Sequence, residues 1–209
     1  MNVNIYVADA SHVVYADAIC ELVYKSALER GTGIAKRSPD YIAQKMVSGK
    51  AVIALEGNEL AGFAYIETWS HSKFVANSGL IVAHKYRGMG LSKKIKTKVF
   101  NLSRKLYPEA KIFSITTGLA VMKLNTQLGF KPVTFSELTD DVDFWKGCEG
   151  CVNFDVLKRN NYKMCLCTGL LYDPVEKGRS KITPALVSAG KTLIINPLIK
   201  INSIISLKK

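Results

Sequence analysis

A glycine-bearing turn between an apolar run and a basic helix is the part of this sequence best suited to chemistry. The run Gly79-Leu80-Ile81-Val82 is followed by AHKYRGMGLS, residues 83–92. A strand that turns in this way into a helix directs free backbone N–H groups and the positive end of the helix dipole at one point, where an anion is favoured. We therefore predict a pyrophosphate cradle. It consists of Arg87, Gly88, Met89, Gly90, Leu91 and Ser92.

The glycines and the arginine give the cradle its specific features. Gly88 and Gly90 have no Cβ, so the backbone can approach a phosphate closely and take a positive φ. Arg87 can add a bidentate contact to two phosphate oxygens. The alternative is an ordinary strand–turn–helix connection in which glycine serves only the turn.

The helix predicted after the cradle, over Leu91–Leu106, is amphipathic and basic. Its predicted apolar face consists of Leu91, Ile95, Val99, Leu102 and Leu106. Its cations fall largely on the other faces: Lys93, Lys94, Lys96, Lys98, Arg104 and Lys105. Such a run is usually a solvated face, but it begins within one turn of the cradle and also suits an additional phosphate.

Four cysteines form two short motifs in the second half of the chain. Cys148 and Cys151 form a C-x-x-C motif, and Cys165 and Cys167 are predicted on one face of an apolar strand. Four thiolates bind Zn²⁺ tetrahedrally, so a structural zinc is one hypothesis for the Cys-rich insertion 140–167. Because the spacing is not that of a standard finger, buried free cysteines are the alternative.

The composition describes a globular, basic chain. It has 209 residues, 48% of them hydrophobic, and a formal charge of +12. This length suits one domain with a full core and an appendage. The charge favours anionic cofactors, acidic small molecules or polyanions. We expect no nucleic-acid partner, because the Lys-rich helix has only Phe100 as an aromatic neighbour.

The ends of the chain carry further expectations. MNVNIYVADASH lacks a basic region followed by an apolar core, so we expect no secretory signal. No apolar run reaches the length of a transmembrane helix, and we expect a cytoplasmic protein with reduced cysteines. The tail 178–209 is largely apolar, contains basic residues at intervals, and is interrupted by Pro197. Docking on the domain, pairing with another subunit in a homodimer and contact with a membrane surface all remain open for it.

Hydrophobic periodicity predicts the element order β-α-α-β-β-β-α-β-α-β-β over a domain of residues 1–177. This order corresponds to an α/β fold (α+β, mixed sheet) with helices on both faces. The predicted strands are Val3–Val7, Ala51–Leu55, Leu60–Thr68, Phe74–Val82, Lys111–Thr116, a segment from Phe130, and Met164–Tyr172. The predicted helices follow a Ser11 cap and a Ser38-Pro39 cap, and cover Leu91–Leu106 and Leu119–Leu128.

This order and the cradle resemble the GNAT superfamily of acyl-CoA-dependent N-acyltransferases. The R/Q-x-x-G-x-G/A signature of that superfamily matches Arg87-Gly88-Met89-Gly90-Leu91, with Ser92 in place of the last small residue. The later helix ending Leu128-Gly129-Phe130 is similar to the second cofactor segment. The resemblance covers roughly residues 3–175. IFSITTGLAVMKLNTQLGFKPV followed by SELTD most resembles the acetyltransferase domain of N-acetylglutamate synthases, which implies a place in amino-acid biosynthesis.

The resemblance implies where the cosubstrate acetyl-CoA binds. Its pantetheine is expected to pair with backbone around Val82, and its pyrophosphate to lie on the N–H groups of the cradle. The thioester would then meet an amine between the Phe74–Val82 and Lys111–Thr116 strands. A backbone N–H near Leu80–Val82 is the expected oxyanion donor.

The sequence departs from the family where proton transfer is concerned. Many members carry Glu on the strand before the cradle, where this chain has Ala76-Asn77-Ser78, and many carry a proton-donating Tyr where this chain has Asn125. Asn125 can hydrogen-bond cofactor or substrate but is no useful acid. Glu67 is the candidate base, directly or through water, and an exposed strand-end carboxylate is its alternative. His71 is a weaker candidate.

The link between the first two helices is where this fold commonly receives the acceptor. Lys36 and Arg37 follow the Gly31-Thr32-Gly33 break and are suited to clamp the carboxylates of a substrate such as glutamate. A solvated basic loop is the alternative.

We therefore predict an N-acetyltransferase that moves an acetyl group from acetyl-CoA to the amine of a small acidic amino acid, in the manner of an N-acetylglutamate synthase. Another acceptor amine, on a protein or a polyamine, and a succinyl donor are the alternatives within this class. Like charges argue against a polyamine. A CoA-binding or zinc-stapled interaction module without turnover is the alternative outside it.

Overall fold

The computed structural model describes residues 2–31 and 36–176, and seven strands and six α-helices form its framework. The strands are β1 Val3–Val7, β2 Ala51–Glu56, β3 Glu59–Trp69, β4 Phe74–Val82, β5 Lys111–Thr116, β6 Lys131–Val133 and β7 Thr168–Tyr172. The helices are α1 Ala16–Arg30, α2 Pro39–Val47, α3 Leu91–Leu106, α4 Leu119–Gln127, α5 Val142–Lys146 and α6 Phe154–Arg159. Residues 178–209 lie outside the described residues, so the predictions for the tail remain predictions.

Capping residues set the beginnings of the first helices. Ser38 Oγ accepts a hydrogen bond from Tyr41 N at 3.2 Å, and Pro39 takes the first position of α2, as predicted. The Ser11 cap was wrong by two residues. Asp9 accepts from Ser11 N at 2.9 Å and begins a 3₁₀ segment, Ala10–Tyr15, that leads directly into α1.

The sheet is mixed, as predicted, with strand order β1-β2-β3-β4-β5-β7-β6. β4 and β5 are parallel, and the other neighbouring pairs are antiparallel. A parallel pair requires a crossover connection, which α3 supplies between β4 and β5. α5 and α6 lie in the insertion between β6 and β7.

Helices cover both faces of the sheet. Alternate residues of β2 show this directly, because Val52 and Ala54 pack in a cluster with α3 whereas Ala51 and Ile53 pack in a cluster with α1 and α2. Met122 of α4 packs against the same cluster as α3. A third cluster joins the β4–β5 region to the insertion through Phe113, Phe135, Phe144 and Trp145.

Within the described residues, no helix combines the length and the apolar character needed to cross a membrane.

The last strand is shorter than predicted. The apolar run from Met164 suggested a strand of nine residues, but β7 begins at Thr168. Cys165 and Cys167 therefore precede the sheet, and the strand alternation used to place their side chains does not apply to them.

β4 leaves β5 soon after the two strands meet. Among the described residues, their ladder extends only from Phe74 to Ala76 on β4. The pairing of β4 with β3 continues to Val82, but it carries a register shift between Phe63 and Tyr65. The remainder of β4 consequently has backbone groups that face β5 without ladder partners there, and the sheet is split at this point.

Gly79 occupies the bulge that accompanies the split. Its φ is +64°, a left-handed conformation that is costly for residues with a Cβ. A Cβ at this position would also collide with the ring of Tyr65. The conformation and the packing thus both require glycine here.

We expect Gly79→Ala to destabilise the protein more than Gly49→Ala. Gly49 has the same φ of +64°, but a Cβ there meets no atom within 4 Å. Both variants carry the backbone cost of about 1 kcal/mol, and only Gly79→Ala adds overpacking of about 1–3 kcal/mol. Urea unfolding of both variants measures the difference. Equal losses would show that Tyr65 does not hold the bulge.

Candidate active site

The predicted cradle lies at the beginning of α3. Gly88 and Gly90 have φ values of +80° and +73°, and Gly90 is the N-cap of the helix without a side-chain cap. Lys93 N and Lys94 N already donate to Gly90 O, at 3.1 and 3.3 Å, so the available helix N–H groups are those that precede them. A Cβ at either glycine meets no atom within 4 Å, which leaves this end of the helix open to a ligand.

The Arg87 side chain points away from an open phosphate contact. Its Nε donates to Val82 O at 3.2 Å, and its Nη atoms contact Ser26 Oγ at 3.1 Å and Glu29 Oε2 at 3.2 Å. The guanidinium therefore fastens α1 to the end of β4. The bidentate phosphate contact predicted for Arg87 would require it to give up these bonds, and that contact remains a prediction.

Two concave surfaces run along α3. An open groove of about 600 Å³ is lined by Lys93, Lys94, Thr97, Lys98 and Asn101. A smaller cavity of about 240 Å³ lies between α3 and α4 and is lined by Lys93, Lys96, Thr97, Leu124, Gln127 and Leu128. Lys93 borders both and lies within one turn of Gly90, so both surfaces begin near the cradle.

Lys96 is buried, contrary to its predicted place on a solvated face. It is 2% exposed, and its Nζ donates to Asn77 Oδ1 at 3.3 Å. Asn77 Nδ2 donates to Ser103 Oγ at 2.8 Å, and this hydroxyl donates to Val99 O at 2.9 Å. Burial lowers the pKa of Lys96 to about 7. The prediction failed because the buried stripe of α3 also includes the positions of Lys96 and Ser103.

Asn125 is fully buried on α4, and its side chain has unused hydrogen-bonding capacity. Within the described residues, neither Nδ2 nor Oδ1 has a partner. A buried amide without partners costs free energy, on the order of 1–3 kcal/mol, unless a ligand or a water satisfies it. Donor and acceptor together match the amides of pantetheine, so Asn125 fits the cofactor contact predicted for it.

Glu67 lies inside the protein at the split, and the alternative of an exposed carboxylate was wrong. It is 4% exposed and pairs with Ala76, the last β4 residue in register with β5. Its carboxylate accepts hydrogen bonds from Tyr41 Oη and from Ser78 Oγ, the latter at 2.9 Å. Burial and then the charge of Glu67 raise the pKa of Tyr41 well above its ordinary value, so the phenol remains a donor.

Arg37 joins this group, but Lys36 does not. Arg37 Nη2 lies 3.9 Å from Glu67 Oε1, and its Nε donates to Tyr65 Oη at 3.1 Å. Lys36 is exposed, and its Nζ lies 5.8 Å from the ring centroid of Tyr24. Lys36 and Arg37, which were predicted to bind the substrate carboxylates together, therefore occupy different environments.

Further groups border Glu67 from two directions. Lys45 lies one turn after Tyr41 on α2, with its Nζ 4.5 Å from that ring's centroid, and burial lowers the pKa of Lys45. The insertion approaches from the other direction at Gly147, where a Cβ would lie 3.2 Å from Arg37 Nη2.

Sequence reasoning missed Tyr41, Tyr65, Ser78 and Lys45. Only Tyr65 could have been found from the sequence, because side chains alternate along β3 and Tyr65 therefore lies on the same face as Glu67.

The cysteine motifs do not form the predicted zinc site. Among the described residues, no group of three or more His, Cys, Asp or Glu side chains is arranged to hold a metal ion. The thiols of Cys148, Cys165 and Cys167 instead pack against the insertion's apolar cluster. Burial, followed by the neighbouring cysteines, raises the pKa of Cys148 to about 11 and that of Cys167 to about 12.

His71 lies in the β3–β4 turn with a positive φ of 55°, beside Ser70 and Ser72 in similar conformations. This exposed turn is at the opposite end of β4 from the cradle. His71 is exposed in this turn, whereas Glu67 is buried at the split.

Comparisons with known proteins connect this geometry to a family. The model described as "Acetyltransferase (GNAT) family" matches residues 18–130. That segment includes the split, the cradle, α3 and α4. A search of curated proteins found no match.

Solved structures of similar fold include proteins that bind CoA. N-acetylglutamate synthase from Neisseria gonorrhoeae, complexed with coenzyme A and N-acetyl-glutamate, has 16% identity and a TM-score of 0.58 over 83% of this chain. This chain spans 35% of the length of that synthase. The yncA protein from Salmonella typhimurium, with acetyl-CoA, has 15% identity and a TM-score of 0.58, covering 83% of this chain and 95% of that one.

A phosphinothricin acetyltransferase from Sinorhizobium meliloti, in complex with AcCoA, is also similar. Its identity is 14% and its TM-score 0.55, covering 83% of this chain and 89% of that one. At such identities the likeness concerns the fold.

We expect Lys96→Met to stabilise the protein at pH 7 by on the order of 1–4 kcal/mol, because it removes a buried ammonium. The pKa of about 7 in the folded protein lies below the ordinary lysine value of 10.5. Between these values the unfolded chain holds a proton that the folded chain lacks, so wild-type stability rises with pH. The advantage of the variant is therefore full below pH 7 and disappears towards pH 10.5. Urea unfolding at several pH values measures it, and a pH-independent difference would contradict the buried ammonium.

Proposed function

The chain belongs to the acetyltransferase (GNAT) family, and from that premise we propose that it acetylates the α-amine of a small acidic amino acid, with glutamate as the leading candidate. Family membership makes it an acyl-CoA-dependent N-acyltransferase acting on an amine. The identity of the acceptor is the part proposed here. The observation that carries it is the buried Glu67 carboxylate, held beside Arg37 at the split.

The split supports the placement of the cofactor. Pantetheine is amide-rich, and β4 after Ala76 has backbone groups without ladder partners on its β5 side among the described residues. Asn125 adds an unused donor and acceptor. Pyrophosphate suits the uncapped start of α3, where Gly88 and Gly90 leave space. Acetyl-CoA bound in this way supplies an activated acetyl group.

Glu67 is suited to act as the base. An α-amine is mostly protonated at neutral pH and must lose a proton before it attacks a carbonyl carbon. Tyr41 and Ser78 hold the Glu67 carboxylate in place, and both can donate throughout, because neither needs to change its protonation state. A proton can reach Glu67 directly or through a water.

The charges around Glu67 favour an acidic acceptor. The cations Arg37 and Lys45 both lie beside the single carboxylate of Glu67. The α-amine of an amino acid can approach Glu67, while its carboxylates complement the excess of cations. A polyamine would place further positive charge against this group.

An acceptor screen tests the function. The purified chain is incubated with acetyl-CoA and, separately, with glutamate, aspartate, glutamine, alanine and spermidine, and the products are identified by mass. We expect acetylation of the acidic amino acids at the highest rate. Acetylation of spermidine alone would contradict the acidic acceptor but would leave the family's chemistry intact.

We expect Arg37→Ala to raise the KM for the acidic acceptor and to leave the KM for acetyl-CoA nearly unchanged. Loss of a charge-assisted contact corresponds to about 1.5–3 kcal/mol, or roughly ten- to over a hundredfold in affinity. Lys36→Ala is the matched control, because Lys36 is the neighbouring cation but is exposed. Steady-state kinetics with each substrate varied measures both. Wild-type acceptor kinetics in Arg37→Ala would show that this side chain does not contact the acceptor.

A further inference from the structure

The reaction leaves a thiolate on CoA, and the chain lacks the tyrosine that the family resemblance would place near it. Asn125 stands at that position and cannot supply a proton. Release of the thiol therefore calls for another acid in reach of the split. Lys96 is the buried titratable group of the cofactor side that the chemistry proposed above does not use.

Lys96 reaches β4 where the strand leaves β5. Its Nζ lies 3.3 Å from Asn77 Oδ1, and Asn77 directly follows the last β4 residue that pairs with β5 among those described. The side chain thus spans from α3 to the point of the split. Glu67 lies at the same position along β4 as Lys96, because Glu67 pairs with Ala76 and the neighbouring Ile66 pairs with Asn77.

The surroundings of Lys96 leave its ammonium with few partners. Its Nζ lies 5.2 Å from the ring centroid of Phe130, and in the described part of the chain it forms no ion pair. Asn125 is adjacent, since its carbonyl accepts a hydrogen bond from Phe130 N at 3.0 Å. Lys96 of α3 and Asn125 of α4 are therefore both in contact with Phe130, Lys96 through the ring and Asn125 through the backbone.

A path to the cradle begins at the same place. Lys96 lines the cavity of about 240 Å³ between α3 and α4, and Lys93, which lies within one turn of Gly90, lines it as well. Lys93 is the other charged side chain of that lining, and α4 contributes Leu124, Gln127 and Leu128. A cofactor that leaves the cradle along this cavity passes Lys96.

We propose that Lys96 is the general acid that protonates the departing sulfur of CoA, an inference that rests on the acetyltransferase function proposed above. The amine nitrogen forms a bond to the acetyl carbon, the C–S bond breaks, and its electron pair goes to sulfur. Before the attack, the protonated amine loses one proton to Glu67, which passes it to solvent. As the amide forms, the nitrogen loses a second proton to Glu67, and the ammonium of Lys96 gives a proton to sulfur. Lys96 then regains a proton from solvent as Glu67 releases one, so the products are an amide and a neutral thiol.

The acidity of Lys96 suits this role. Burial lowers its pKa to about 7, whereas a thiol of ordinary acidity has a pKa of about 8.5. Transfer from this ammonium to the thiolate is consequently downhill, and a substantial fraction of Lys96 carries the proton at neutral pH. An exposed lysine, with a pKa near 10.4, would be a weaker acid for this step.

The test compares binding of CoA with binding of desulfo-CoA, in which hydrogen replaces the thiol group. Calorimetry gives both affinities for the wild type, for Lys96→Met and for Lys93→Met, the control that alters the other cation of the cavity. If Lys96 meets the sulfur, the wild type and Lys93→Met prefer CoA by about threefold or more, and Lys96→Met loses most of this preference. Equal losses of affinity for both ligands, or no change, would overturn the proposal.

Turnover supplies the second readout. We expect Lys96→Met and Lys96→Gln to lower kcat by about a hundredfold or more with little change in either KM, because an acid acts only in the transition state. Gln retains a donor for Asn77, so its loss of kcat is not a consequence of a missing structural hydrogen bond. A wild-type kcat in folded Lys96→Gln would refute the acid. A wild type that acetylates no amine would instead refute the proposed function, and the comparison of the two ligands would still show whether Lys96 meets sulfur.

Discussion

The divergence of β4 from β5 is the constraint on which the rest of the site depends. A parallel pair that continued to Val82 would use the β4 backbone and leave no slot for a cofactor. The described ladder instead ends at Ala76, and three residues later Gly79 takes a left-handed conformation against the Tyr65 ring. β4 still ends at Val82 beside the cradle, so one strand connects the place of chemistry to the place where phosphate would bind.

Buried polar groups meet this split from both faces of the sheet. Glu67, Tyr41 and Arg37 meet on the face covered by α1 and α2, whereas Lys96 and Asn77 meet on the face covered by α3. Each group costs stability in the absence of a ligand, since charges and amides are kept from water. Their concentration at one level of β4 is typical of a site where stability has been given up for function.

Local patterns predicted the framework well, and tertiary packing decided the rest. β4 and α3 have the predicted bounds, because period-two alternation, the glycine turn and the helical stripe all lie in contiguous sequence. The burial of Glu67 was not predictable in this way, since it depends on Arg37 and Tyr41 folding across β3. The prediction that Lys96 is exposed was wrong, because it rested on the charge of the side chain, whereas the buried face of α3 includes this position.

The most direct test of CoA binding at the split is amide hydrogen exchange along β4, measured with and without CoA. If the split is the cofactor slot, CoA slows exchange within residues 77–82 and at the start of α3, while β1 and β2, at the far edge of the sheet, are unaffected. Slowed exchange confined to other parts of the chain, with β4 unchanged at saturating CoA, would contradict it.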